Sequence, residues 1–402
     1  MGKLWLMVLI LVVSLPQLGN AVTDSLVSLR GLIEEARANN PELQALRADY
    51  ETAESRISWF SHVPDPIVAA EFSDNMTMYS ITQQVPFPTK IAQRREFAEN
   101  EADYYYFLYI DKEQSIIREV KQGYAELFLL HAKISATEKS IAFLAQIHDI
   151  AGQKYSINEA PQAEVLMAQV RLAKAENRLI LLKDDLIIVQ ASLNTLLNRD
   201  LERSLPRPTE PTETVDTLSL PSLYELAQEN QPQLKALELK KEGAEIRLSM
   251  ARQTYLPDFA FKYTYEQKND DLHNDKYMIG LTIPIWFWDK QRNFVRESAA
   301  SLRGTSARYE MIQNATRLRV KGAKTRVEKY QHTIDLYRNS VLPQAEAALK
   351  SALSAYEVNR IDFQALLESE ELLVESEYDY EEARANLFIA MAELEESIGH
   401  AQ

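Results

Sequence analysis

Side chains able to do covalent or redox chemistry are few and scattered in this sequence. The six histidines are His62, His131, His148, His273, His332 and His400, and no two are spaced as a His-x-x-x-His ligand pair. Gly-x-Ser-x-Gly and the glycine-rich phosphate loop are both missing, so neither an activated serine nor a phosphate cradle has a place. There is no cysteine, which removes thiol catalysis, zinc ribbons, disulfide scaffolds and a lipid-bearing N-terminal cysteine together. The nine methionines do not cluster. His148 falls on an apolar helical seam and reads as a packed residue rather than a ligand. The chain is therefore expected to be no enzyme, with neither a cofactor nor a metal site. Its formal charge of −15 also speaks against a nucleic-acid partner, whose footprint is basic.

With little chemistry to place, the elements themselves carry the reading. Only 10 of the 402 residues are glycine, about a third of the usual share, which disfavours loop-rich β folds. Mean hydropathy of −0.30 is too low for a bundle of membrane helices. Lys3, the apolar run Leu4 to Val13 and the small-residue site Gly19-Asn20-Ala21 describe a secretory signal peptide over residues 1–21. No later segment reaches 18 apolar residues, so a spanning helix is excluded and a spanning barrel is not.

The rest of the chain reads as one unit written twice, at 22–200 and 223–402. LIEEARANNPELQAL (32–46) resembles LYELAQENQPQLKAL (223–237), and VPDPIVAAEF (63–72) corresponds to LPDFAFKYTY (256–265). KYSINEAPQAEVLMAQ (154–169) corresponds to AYEVNRIDFQALLESE (355–370), and ASLNTLLN (191–198) to AELEESIG (392–399). Order is kept throughout. Between the copies, residues 201–222 are rich in Pro, Thr and Glu and read as an extended linker.

Each copy contains one long helical hairpin, over 91–200 and 290–399. Ile116, Val120, Gly123, Leu127, Leu130, Ile134, Thr137, Ile141 and Leu144 fall at alternating steps of three and four, the seam of a coiled coil. Val320, Ala323, Val327, Tyr330, Ile334, Tyr337 and Val341 repeat it. At 1.5 Å per residue each rod would reach about 90 Å. The rods end near Tyr155 and Tyr356, where Asn158 and Asn359 suit a left-handed turn.

Upstream of each rod the period changes from helical to two, predicting strand hairpins at about 66–86 and 258–286. Phe259, Phe261, Tyr263 and Tyr265 share one face, as do Tyr277, Ile279, Leu281, Ile283 and Ile285 on the next strand. Val68, Ala70 and Phe72, then Tyr79, Ile81 and Val85, give a weaker version in the first copy. Lys262, Glu266, Thr77 and Gln83 are expected on the opposite, wet face. Strands near ten residues match those that cross a bilayer at a tilt. Trp286, Phe287 and Trp288 at the strand end resemble an interfacial belt. The alternative is two soluble hairpins packing their apolar faces together. Four strands cannot close a useful barrel, so spanning strands must pair with another protomer.

An exported chain with helix, strand hairpin, long helix and return helix in duplicate resembles the TolC-like outer membrane efflux channels. The markers are the Asn-Pro early helix, Pro64-Asp65-Pro66 before the first strand, the Gln-x-x-Pro-x-Pro-x-Lys exit from Gln83 to Lys90, and Tyr-x-x-Asn at both tips. The wording around the strands is most similar to the heavy-metal, CzcC-like branch. The resemblance implies a mostly α fold with a membrane β-barrel part: a homotrimer whose twelve strands form the barrel and whose helices form a periplasmic α-barrel. It implies a passive exit duct in the outer membrane lipid, docked to a periplasmic membrane-fusion adaptor and an inner membrane pump, with metal cations among the cargo classes. Tyr155, Asn158, Glu164, Tyr356, Asn359 and Arg360 would then meet the adaptor. The family carries glycine where Asn158 and Asn359 stand. In better-known members a carboxylate pair rings the closed tunnel mouth. The matching positions are Gln364 and Glu368, with Asp362 nearby, and only Glu368 keeps the charge. Three copies of Glu368 would favour cations; an ordinary solvated helix face is the other reading. A rival function for the whole chain is a structural coiled-coil protein of the cell envelope.

Overall fold

A computed structural model of the protein describes residues 28–74, 76–210, 218–268 and 273–400. The proposed signal peptide and part of the linker, 211–217, lie outside the described residues. Two short helices open the described chain, α1 (Leu29–Asn39) and α2 (Pro41–Phe60), followed by β1 (Ile67–Ser73), β2 (Met76–Val85), α3 (Pro88–Ser156) and α4 (Gln162–Leu196). The same order of elements returns as α5 (Leu220–Asn230), α6 (Pro232–Gln253), β3 (Asp258–Lys268), β4 (His273–Thr282), α7 (Arg292–Leu336), α8 (Leu342–Glu357) and α9 (Phe363–Ile398).

Local chemistry sets the breaks. Asn40 ends α1 and caps α2, its Oδ1 accepting from the Glu42 N–H at 2.9 Å, with Pro41 at the first helical position, where its missing N–H costs nothing. Gln231 does the same between α5 and α6, accepting from Gln233 N–H at 2.6 Å. The return helices end on left-handed residues, Asn198 (φ 53°) after α4 and Gly399 (φ 78°) after α9. A Cβ on Gly399 would lie 2.4 Å from the Asn230 carbonyl oxygen, so glycine is required there by contact as well as by φ.

With 69 residues, α3 spans about 100 Å and packs against α2, α4, α6 and α9. Of the seam that the alternation of threes and fours predicts, Ile116, Val120, Leu127, Thr137 and Leu144 are buried, while Gly123, Leu130, Ile134 and Ile141 are only partly so. His148 departs from expectation. Ile147 and Ala151 fill the seam and are fully buried, while His148 sits one step round the helix, half-exposed, beside Asp149. The second rod is not uniform. A π-turn at Tyr337–Val341 joins α7 to α8, immediately before Pro343, which cannot donate an intrahelical bond and displaces the ladder. A second π-turn, Phe287–Gln291, precedes α7.

The four strands form one antiparallel sheet in the order β1-β2-β3-β4, not two hairpins packed face to face. Tyr79 opposes Tyr265, Ile81 opposes Tyr263 and Val85 opposes Phe259; Phe261 opposes Ile279 and Tyr263 opposes Tyr277. Val68, Ala70 and Phe72 continue the row through their partners Ile81, Tyr79 and Thr77. This face is apolar and aromatic. The other carries Ser80, Thr82, Lys262, Thr264, Glu266 and Lys276, and Glu266 accepts a hydrogen bond from Lys276 there. Thr77 and Gln83 belong to the aromatic face instead of the wet one. They have the same parity as Tyr79, and the side-chain period of a strand is two. Gln83 satisfies its amide locally, donating to the Pro64 and Gln84 carbonyls at 2.7 and 2.9 Å. Strand β4 also stops at Thr282, so Ile283 and Ile285 lie beyond the sheet, past which Pro284 can donate no ladder bond.

Candidate functional site

Two ends of the molecule carry the residues singled out from sequence. At the far end of the rods, Asn158 (φ 60°) and Asn359 (φ 56°) both adopt the left-handed turn. Each closes its helix the same way: Asn158 N–H donates to Tyr155 O at 3.1 Å and Glu159 N–H to Lys154 O at 2.8 Å, while Asn359 and Arg360 donate to Tyr356 O and Ala355 O at 3.1 and 2.8 Å. Asparagine thus fills the place that glycine takes elsewhere, since its short side chain tolerates this region.

The matched tyrosines part company. Tyr356 is 3% exposed and Tyr155 is 46% exposed. Tyr356 stacks at a tilt on Phe363, ring centroids 5.4 Å apart, and donates its hydroxyl proton to Glu164 Oε2 at 2.7 Å. Burial first, then the Glu164 carboxylate, push its ionisation well above the ordinary phenol range. Lys154 completes the knot. Its Nζ donates to Tyr356 O and to Asn359 Oδ1, each at 2.7 Å, and lies 4.3 Å from the Tyr356 ring centroid. The last turn of α3, the first turn of α4 and the α8–α9 turn are therefore tied to one another. Lys154 was missed from sequence because its position is matched by Ala355 in the second copy, and only the cross-copy contact gives it a role.

Along α9, Asp362 caps the helix, its Oδ1 accepting from Ala365 N–H at 2.8 Å. Gln364 donates to Glu368 Oε1 at 3.0 Å one turn on, and Asp362, Gln364 and Glu368 are all exposed. The next carboxylates point elsewhere. Glu371 accepts from Arg171 Nη2 of α4 at 2.8 Å, and that hydrogen bond holds it below the ordinary carboxylate range. Glu370, 6% exposed, accepts from Ser140 of α3, and burial pushes it up despite Ser140 and Arg171. The resemblance to the efflux channels brought out Glu368 but not Glu370 and Glu371, whose partners lie on α3 and α4.

At the other end, Trp286, Phe287 and Trp288 are exposed just past β4. Their rings touch, with centroids 5.8 Å apart for Trp286–Trp288 and 5.0 Å for Phe287–Trp288. Beside them the aromatic face of the sheet is uncovered: Tyr277 is 80% exposed. An exposed apolar surface of this extent is of the kind that another molecule covers. Among the described residues no group of three or more His, Asp or Glu is placed to hold a metal ion, and no helix is long and apolar enough to cross a membrane.

Residues 223–400 match the family model described as outer membrane efflux protein. Among curated proteins none matches the chain. Solved structures do. The outer membrane protein VceC from Vibrio cholerae is 16% identical, with 92% of this chain and 96% of that one covered at a TM-score of 0.81. The CmeC outer membrane channel of Campylobacter jejuni is 13% identical over 93% of this chain and 86% of its own, also at 0.81. CusC, described for folding and transmembrane channel formation, is 14% identical over 92% of each chain at 0.81. Helices, sheet and their order follow the fold of these proteins.

Proposed function

We propose, from this shared fold, that the chain is the outer membrane exit duct of a tripartite efflux pump, a passive channel rather than an enzyme. The observation that carries the reading is the sheet. It has an uncovered aromatic face, a polar face bearing Lys262, Thr264 and Glu266, and two unpaired edges, β1 and β4. Lipid tolerates no such edges, so β4 of one copy would pair with β1 of the next, and three copies would close a twelve-stranded barrel with the polar face inward. A second uncovered surface supports a homotrimer. Leu166, Val170, Ile180, Ile187 and Ile188 of α4 are exposed, an apolar stripe left uncovered among the described residues. The twofold order of elements is read as a duplication that supplies two wall segments per copy.

The helical tips would face the periplasm and meet the membrane-fusion adaptor, which in turn meets the inner membrane pump. Within the tip, Tyr356 and Glu164 are committed to each other, leaving Tyr155, Ile157, Val358 and Arg360 as the docking residues. Asp362, Gln364 and Glu368 would ring the narrow end three times over and favour cations. That acidic ring and the strand wording of the heavy-metal branch support a cationic cargo, metal ions included.

The test is current. Purified protein added to a planar bilayer is expected to give stepwise, cation-selective conductance and to run as a trimer in detergent. A water-soluble protein that needs no detergent and passes no current would instead be the structural coiled-coil protein of the envelope.

A further inference from the structure

The turn between β1 and β2 lies at the end of the sheet remote from the helices, and two methionines, Met76 and Met78, open β2 just after it. They have the parity of Ser80, Thr82 and Gln84, so both belong to the polar face of the sheet, the side-chain period of a strand being two. An apolar side chain gains nothing from water there, and both are only partly covered. Their Cα atoms are about 6.8 Å apart, two residues along an extended strand. Each arm has three free torsions and carries a polarisable sulfur. Two such arms on one face can close on a single ion.

The neighbours favour a positive one. Met78 lies between Glu71 of β1 and Glu266 of β3. Glu266 is committed to Lys276. Glu71 is exposed and among the described residues makes no ion pair. Met76 lies between Ser73 and Lys268. Met278, the third methionine of this face, opposes Lys262 two strands away and belongs to another row.

We propose that Met76 and Met78 form one site per protomer for a soft monovalent cation, copper(I) or silver(I). The site narrows the cationic cargo proposed above and rests on that reading, which makes the polar face the lumen. Thioether sulfur is a soft donor that selects such ions, whereas zinc takes thiolate, imidazole or carboxylate. Glu71 adds one uncompensated negative charge beside the sulfurs. In three copies the sites would ring the outer end of the barrel, the last protein surface the cargo meets. Two neutral donors and one nearby charge suit a duct, since conduction requires that a bound ion also leave.

Methyl NMR tests this on the purified full-length protein, with methyl-labelled methionine and silver nitrate titrated into chloride-free buffer. The Met76 and Met78 signals should move together and saturate at one silver per protomer. Half-saturation should rise about a hundredfold in M78L, because one of two tethered ligands is gone. It should rise about fivefold in E71Q, the effect of one charge at about 4 Å in water. Zinc nitrate should leave both signals in place. Met167 and Met311, exposed and solitary on their helices, report what a single thioether binds. Half-saturation no lower than theirs, or unchanged in M78L or E71Q, overturns the proposal. So does zinc moving both signals at the same concentration, which would mark a carboxylate site at Glu71. Unchanged helix content by circular dichroism and unmoved signals from the other methionines show that the variants fold. Wild type that conducts in a planar bilayer yet gives no silver shift refutes this proposal alone; wild type that does not conduct refutes the reading beneath it.

Discussion

Replacing Lys154 with Met should open the tip without unfolding the rods. The side chain is buried and donates two hydrogen bonds of 2.7 Å, to Tyr356 O and Asn359 Oδ1, besides lying over the Tyr356 ring. Hydrogen bonds from a charged donor contribute about 1.5–3 kcal/mol each, and a partly desolvated cation over an aromatic ring adds about 0.5–2 kcal/mol. Desolvation of the ammonium offsets part of this, and Met restores much of the lost packing, so the low end of the sum, about 3.5 kcal/mol, is the fair figure. It shifts the equilibrium between joined and parted tips by about 300-fold. Because the chain has no cysteine, Ile157→Cys with Val358→Cys gives one pair of spin-label sites per protomer, one on each turn, and diluting labelled protein with excess cysteine-free protein isolates the distance within a protomer. Double electron–electron resonance should show a single short distance in the Lys154 protein and a broad, longer distribution after Lys154→Met. Resting conductance should rise in parallel, and Lys154→Arg should fall between the two. An unchanged distance distribution in Lys154→Met would refute the idea that this lysine ties the hairpins together.

Three further outcomes follow from the same structure. Glu368→Ala should raise resting conductance and weaken cation selectivity, read from the reversal potential across a salt gradient; an unchanged reversal potential removes Glu368 from the pore. Gly123→Val should destabilise the α3–α4 contact by about 1–3 kcal/mol, because a Cβ at Gly123 would lie 2.7 Å from Leu193 Cδ2; the denaturation midpoint measures it. Glu370 and Glu371 should give opposite pH slopes. Burial raises Glu370 above its ordinary value of 4.5, so the folded state holds its proton longer than the unfolded state, and stability falls as pH rises through the raised value. The Arg171 hydrogen bond lowers Glu371, whose contribution is present above 4.5 and lost as pH falls through the lowered value. Melting temperature should therefore climb on acidification from neutrality toward pH 4.5 and drop below it. Glu370→Gln should flatten the first limb and leave the second.

Much of the architecture follows from spacing alone. The period-two aromatic rows fix which face of the sheet is apolar, and the three-four alternation fixes the buried stripe of α3. Strict parity corrects the placing of Thr77 and Gln83, an outcome already contained in their odd numbers beside Tyr79 and Ile81. The π-turn at Tyr337–Val341 has its cause in Pro343, yet a proline just past the last position of a long apolar repeat predicts a disturbance without saying which kind. The cavity beneath the sheet, lined by Arg94, Arg247 and Lys290 among others, was not legible at all. Arg94, Arg247 and Lys290 lie on three helical segments whose convergence depends on how α3, α6 and the π-turn meet beneath the sheet.

The tips show why the remaining site residues escape a reading of repeats. Matching one copy to the other assigns Tyr155 and Tyr356 the same role, yet one is solvent-facing and the other is the centre of the knot. The difference arises because the two turns touch each other rather than each standing alone. Lys154, at the position of Ala355, reaches across to the second turn, and Glu164 reaches to Tyr356 from α4. Substitution at one matched position therefore separates the copies into a turn that holds and a turn that is held. Residues that differ between otherwise matching segments are where the coupling of the two hairpins resides.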